Sequence, residues 1–104
     1  VTHPSRSLDE VIWQKNRLGI LAVLAEADYV DFGYLKGALD LTDGNLSRHL
    51  SVLEEQGLVA IKKTFEGKRP KTFVEATRRG RKALNEHLRT MQELINRVGV
   101  KEKK

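Results

Sequence analysis

The sequence predicts a mainly α-helical domain carrying one small β-hairpin. Two observations set this class. Apolar residues recur at helical spacing in four stretches, each opening on a residue suited to capping a helix. Between the third and fourth lie two strand-like runs, LVAIKKTF and KTFVEA, joined by a tract containing Gly67 and Pro70. The 104 residues, 39% of them hydrophobic, suit one domain with a modest core.

In order along the chain, residues 1–7 read as a flexible arm and residues 8–98 as the domain. The first helix is expected over about 8–27, with Ser7 as its cap and Asp9 and Glu10 at the positive end of its dipole. Leu18, Leu21, Ala22 and Ala25 are its expected core stripe. Val11, Ile12 and Trp13 add more apolar surface than one core face needs. They read either as core, the usual place of a lone Trp, or as a subunit interface, where Trp is enriched. After a turn, Asp31 caps a second helix over Phe32–Leu39 that buries Leu35, Ala38 and Leu39, with Tyr34 at its flank. Gly33 and Gly37 are unusual inside a helix, and close helix packing would account for them. Asp40, Leu41 and Thr42 form a short connector.

The third stretch, LTDGNLSRHLSVLEEQGLV over residues 41–59, organises the rest. Thr42 is its N-cap, and Asp43 suits the dipole. Leu46, Leu50 and Leu53 fall at i, i+4, i+7 on one face, and Gly57 ends the helix. At about 100° per residue, Gly44, Ser47, Arg48 and Ser51 lie on the opposite face, with Asn45 on the flank. An ordinary amphipathic surface helix would share the binary pattern. A face of small, polar and basic side chains also suits the DNA major groove, because it permits close approach and hydrogen bonding. Two short helices joined by about three residues form a helix-turn-helix, whose second helix enters the groove.

The hairpin follows at 58–76. EGKRPK is expected to be its turn, with Gly67 permitting positive φ and Pro70 setting a rigid bend. Residues 62–72 hold five basic side chains against one acid, net +4, from Lys62, Lys63, Lys68, Arg69 and Lys71. A basic tip is often merely solvated, but after a helix-turn-helix it reads as a wing that lies along phosphates or reaches the minor groove. Thr77 caps the last helix, expected over 78–98. Arg78, Arg79, Arg81 and Lys82 crowd its start against the dipole, which phosphate or neighbouring acids would offset. Leu84, Leu88, Met91, Ile95 and Val98 alternate by four and three, with Leu94 widening the stripe. That stripe packs on the chain's own first helix or, the preferred reading, also pairs with a second subunit. Residues 99–104 form a basic tail.

Charge is unevenly distributed. The net +5 divides into −4 over residues 1–61 and +9 over 62–104. Solvated Lys and Arg on a long helix explain part of this, and a polyanionic partner of the second half explains more. No apolar run approaches the ~18 residues of a membrane span, and VTHPSRS lacks the apolar segment of a signal peptide. A cytoplasmic protein is expected. Absence of cysteine excludes disulfides and thiolate metal sites. His3, His49 and His87 lack ligand-like spacing, so neither metal nor cofactor is expected. No nucleophile–base string or phosphate-cradling loop is present, which argues against an enzyme.

The element order and three strings, LTDGNLSRHLSVLEEQGLV, TFEGKRPKTF and EATRRGRKAL, resemble the compact one-domain winged-helix transcriptional regulators of the MarR/ArsR-like group. The resemblance covers roughly residues 10 to 95. It implies a winged helix-turn-helix DNA-binding domain with a long C-terminal dimerisation helix. By position, Thr42, Asn45, Ser47, Arg48 and Ser51 become groove contacts, and Lys62, Lys68, Arg69 and Lys71 wing contacts. Val11, Ile12, Trp13, Leu84, Leu88, Met91, Ile95 and Val98 become the dimer interface. His49, at the edge of the buried stripe, is read as packed or phosphate-contacting. The chain departs from ArsR-type metal sensors in lacking cysteine. It is also shorter than larger MarR proteins, whose extra helices build a ligand pocket; any small-molecule effector would lie between the first helix and the dimer helices, near Trp13. The expected function is sequence-specific binding of double-stranded DNA as a homodimeric repressor on a near-palindromic operator. The competing reading is a winged-helix protein-interaction module, for which an apolar face on the central helix would speak.

Overall fold

The protein, seen in a computed structural model, is described over residues 3–99. Its order is a 3₁₀ turn at Pro4–Ser7, α1 (Glu10–Trp13), α2 (Lys15–Ala25), β1 (Val30–Asp31), α3 (Phe32–Leu39), α4 (Asp43–Glu55), β2 (Val59–Glu66), β3 (Arg69–Ala76) and α5 (Arg78–Val98). The strands form one antiparallel sheet in the order β1-β3-β2. Helix α2 is the hub, touching α3, α4, α5 and β3. Ile12, Ile20, Leu21, Leu24, Leu35, Leu46, Leu50, Leu53 and Val74 are fully buried around it.

The N-terminal region differs most from expectation. Residues 3–7 are not a loose arm. His3 Nδ1 accepts from Ser5 N at 3.2 Å, and the turn lies against α5. Val1, Thr2 and most of the basic tail lie outside the described residues. The single helix expected over 8–27 is two. Asp9, not Ser7, caps α1 by accepting from Val11 N at 2.8 Å. Gln14 then turns extended (ψ 129°), and its side chain accepts from Arg17 N at 2.9 Å to cap α2. No residue at this elbow is a helix breaker, so tertiary contacts impose it. Ile12 is driven into the core, and Arg17 Nε donates to the Val11 carbonyl across the bend at 2.6 Å. The α2 stripe is Ile20, Leu21 and Leu24, while Ala22 and Ala25 are exposed. The larger side chains set the helix phase because they remove more apolar area from water.

The helix-turn-helix follows the sequence closely. Asp31 Oδ1 accepts from Tyr34 N at 2.7 Å, and Thr42 Oγ1 accepts from Asn45 N at 3.1 Å. Between the helices Asp40 takes the left-handed conformation (φ 52°), which Asp tolerates, and Leu41 N closes onto Lys36 O at 3.0 Å. Leu35 is buried as expected, but Ala38 is exposed. A Cβ on Gly37 would meet nothing within 4 Å, so close packing does not explain that glycine.

Strands β2 and β3 are longer than the composition suggests. They pair from Val59↔Ala76 to Glu66↔Arg69, leaving a two-residue turn at Gly67 and Lys68. Gly67 has φ 64°. Pro70 is therefore not the bend; it pairs with Phe65 inside the strand. β1, too short to show periodicity, adds Val30↔Val74 and Asp31↔Phe73 and stops before Pro70. The missing N–H of Pro70 thus faces an unpaired stretch of edge, where proline is tolerated.

Glycine is required where α5 begins. A Cβ on Gly80 would lie 1.9 Å from the Leu58 carbonyl oxygen. Thr77 locks the same junction. Its hydroxyl donates to Gly57 O at 2.6 Å and accepts from Gly80 N at 2.9 Å, and its N–H donates to Leu58 O at 3.1 Å.

Candidate nucleic-acid interface

Helix α4 buries Leu46, His49, Leu50 and Leu53 and exposes Asn45, Ser47, Arg48 and Ser51. Its N-terminus is pinned to α3 by a Lys36–Asp43 ion pair at 2.9 Å. The Thr42 hydroxyl is occupied as the cap. Arg48 Nη2 donates to Asn45 Oδ1 at 3.3 Å, so these two side chains lie together on the open side of the helix. Ser47 and Ser51 face the other way, into a cleft of about 770 Å³ between α4 and the hairpin, whose opposite wall includes Ile61, Lys63 and Thr72.

Strand alternation sorts the hairpin's cations. Ile61 and Val74 pair on the inner face, and Lys63↔Thr72 and Phe65↔Pro70 continue that face toward the tip. Lys62 points to the outer face, where it pairs with Glu75 at 2.9 Å. Lys71 lies 3.7 Å from Asp31 and 4.0 Å from Glu66. Among the described residues, Lys63, Lys68 and Arg69 have no acid within ion-pair distance. Lys62 thus lies on the face away from α4, engaged by Glu75, whereas Lys63 lies on the face toward it. The period of two, counted from the apolar Ile61, points to Lys63.

His49 sits beneath α4 and is buried. Arg17 Nη1 donates to its Nδ1 at 3.3 Å, and the Asn16 amide lies 3.5 Å from Nε2. Arg is a permanent donor, so Nδ1 must be unprotonated. Burial, with the Arg17 and Arg48 charges, pushes the His49 pKa below its ordinary value. His49 is therefore a packing residue that ties α4 to the α1–α2 elbow. The cation crowd at the start of α5 is relieved partly within the chain: Arg81 donates to Ala27 O at 3.1 Å and to Ala25 O at 3.5 Å, capping the end of α2.

At the other end, the expected interface residues divide. Trp13 (52% exposed), Leu88, Ile95 and Val98 are exposed, and Val11 and Met91 are half-buried. Ile12 (0%) and Leu84 (3%) are not available to a second subunit. The elbow turns Ile12 inward, and Leu84 falls on the half of α5 that covers the core. His87, not anticipated, is also buried; neither ring nitrogen has a hydrogen-bond partner, and Trp13 packs over it at 5.6 Å. Burial pushes its pKa down, with Asp9 opposing. Trp13, Leu18, Ala22, Leu39 and Met91 line a cleft of about 600 Å³. Among the described residues no His, Cys, Asp or Glu group is gathered to hold a metal, and no helix is long and apolar enough to cross a membrane.

Residues 16–95 match the model of the winged helix DNA-binding domain. The chain is 42% identical over 82 residues to an uncharacterised protein of Methanocaldococcus jannaschii, covering 79% of this chain and 89% of that one. It superposes with a TM-score of 0.83 on a transcriptional regulator homologue from Pyrococcus horikoshii, at 33% identity over 91% of this chain and 92% of the other. A MarR-family transcriptional regulator from Silicibacter pomeroyi shares the fold at a TM-score of 0.65 and 22% identity, covering 95% of this chain and 67% of that one. With the helix-turn-helix, the hairpin beside it and the family match over most of its length, the chain belongs to the winged-helix DNA-binding domain family, with the fold of MarR-type transcription regulators.

Proposed function

We propose that this winged-helix protein acts as a homodimeric, sequence-specific transcriptional repressor, binding rather than catalysing. The observation that carries the reading is the cleft in which Ser47 and Ser51 of α4 face Lys63 and Thr72 of the wing. Lys63 and the hydroxyls of Ser47, Ser51 and Thr72 would bond a phosphate at this cleft. Of the two carboxylates that also line it, Asp43 is engaged by Lys36 at 2.9 Å and Glu54 is exposed, so the backbone would seat toward Lys63 and put α4 in the major groove. Arg48 and Asn45, on the open side of the helix, would then read base edges, while Lys68 and Arg69 at the wing tip supply phosphate attraction. Lys62 and Lys71 contribute less, because acids of the same chain engage them.

Dimerisation is supported by the exposed apolar residues Trp13, Leu88, Ile95 and Val98, which lie beyond what the chain's own core covers. Two copies would present α4 helices about 34 Å apart to a near-palindromic site. Any small-molecule effector would occupy the cleft beside Trp13 and Met91, whose lining is mostly apolar. A repressor works where the chromosome is, which in a cell without a nucleus is the cytoplasm.

The test is selection from a random duplex pool at two salt concentrations. The expected result is an inverted repeat with half-sites one helical turn apart, bound much more weakly at the higher salt. Binding without enrichment, or no binding at low salt, would refute sequence-specific recognition.

A further inference from the structure

Phe65 is the most exposed large apolar side chain among the described residues, 70% accessible, and it stands at the tip of a basic wing. Tyr29, the exposed aromatic just before β1, packs edge-on against Phe73 at 5.3 Å, whereas Phe65 has no aromatic partner among the described residues. Its cross-strand neighbour is Pro70. The Glu66↔Arg69 pair flanks the two-residue turn and is hydrogen-bonded, so Phe65↔Pro70 is the next, non-hydrogen-bonded pair, with side chains in close approach. Both belong to the inner face, the one that carries Lys63 and Thr72 toward α4. The pair is held by regular strands and by proline's fixed φ, with Lys68 and Arg69 beside it.

We propose that Phe65 and Pro70 form an apolar wedge that enters the minor groove next to the major groove occupied by α4 and opens a base step there. The proposal rests on the reading of α4 and Lys63 given above. If Lys63 meets the phosphate backbone, two further residues of strand carry Phe65 roughly 7 Å beyond it. That distance matches the minor groove's depth of about 7.5 Å. In the minor groove a phenyl ring meets only the narrow edges of deoxyribose and bases, and the broad apolar surface that matches its face is that of a partly unstacked base. Phe and Pro are side chains of the wedge type, and opening a step in this way bends the duplex toward the major groove. The flanking cations anchor the tip on the adjacent phosphates. Pyrimidine–purine steps unstack most readily, so the wedge also selects sequence where no side chain reads a base edge: recovered sites carry TA or CA/TG steps at this flanking position.

The experiment uses the full chain and the duplex recovered by pool selection, carrying 2-aminopurine at the flanking step and a donor–acceptor dye pair at its ends. Wild type is expected to raise the 2-aminopurine fluorescence and shorten the end-to-end distance. Phe65→Ala, at an exposed position, keeps the melting temperature and the enriched major-groove bases but loses both signals and binds roughly tenfold more weakly. Phe65→Leu restores most of both signals. Lys68→Ala weakens binding and leaves both signals in the saturated complex. Wild type bound to straight, stacked DNA would overturn the wedge while leaving the α4 reading intact. So would Phe65→Ala that retains both signals, or that loses affinity when wild type gave no unstacking. Wild type that enriches no sequence would overturn the wedge together with the reading beneath it.

Discussion

The two ends of this molecule expose opposite surfaces. At the α4–wing end a fully buried leucine stripe is backed by serines, asparagine and cations that have no ion-pair partner among the described residues. At the α1–α5 end a buried stretch of α5 gives way after His87 to exposed Leu88, Ile95 and Val98, beside exposed Trp13. Both are amphipathic helices whose inner faces serve one core. They differ in what lies outside that core. A polar outer face needs nothing further to be soluble, so its basic and hydroxyl groups are free for a polyanion. An apolar outer face is stabilised when another surface removes it from water. One helix stripe thus covers the core first along α5 and then lies open, where we propose that it meets a second copy.

The largest effect expected comes from breaking the junction that both ends share. Gly80→Ala places a Cβ against the Leu58 carbonyl, which the backbone cannot vacate cheaply. A loss of about 3 kcal/mol or more in denaturant unfolding is expected, and both ends should fail together. Next comes the association end alone. Leu88→Glu puts a charge into the exposed stripe, and sedimentation should show the mass of one chain. Operator affinity should fall on the order of 100-fold as the second half-site is lost, with the monomer still folded. If it sediments as a dimer, the apolar end has another role.

A smaller effect separates the two faces of the wing. Lys63→Ala should lower the slope of log affinity against log salt by about one. Lys62→Ala, which only releases Glu75, should leave the slope nearly unchanged. Equal slopes would erase the distinction between faces. The smallest effect is on pH dependence. His49 and His87 both have folded-state pKa values pushed below the ordinary 6.5, so the unfolded chain binds more protons in the interval between. Stability should be full above about pH 6.5 and decline as pH falls through that interval toward the folded-state values. His87→Phe, which keeps a ring under Trp13, should flatten part of that decline in thermal melts; an unchanged profile would assign it to other groups.

The helix-turn-helix was legible in its bounds, caps and leucine stripe because those signals are local. Asp31, Thr42 and Gly57 punctuate the helices, and Leu46, Leu50 and Leu53 keep helical spacing without interruption. The elbow at Gln14 was not legible, because glutamine favours helix and the turn is imposed by Ile12 burial and the reach of Arg17 to Val11. β1 was missed because two residues carry no period. The wing's basic content was plain, and its division into faces follows only once the strand period is counted from Ile61. A count of Lys and Arg is blind to the pleat, and the ion pairs of Lys62 and Lys71 join residues distant in sequence.

By itself, the sequence determined the helix-turn-helix with its caps at Asp31 and Thr42, the Thr77 cap of α5, the polar outer face of α4 and the basic wing, because each depends on contacts within one turn or one strand. Only the tertiary structure decided that Glu75 and Asp31 engage Lys62 and Lys71, that Ile12 and Leu84 belong to the core, and that His49 is held by Arg17. These depend on which surfaces meet when separate elements pack, and packing is resolved by the competition of all apolar faces for one small core.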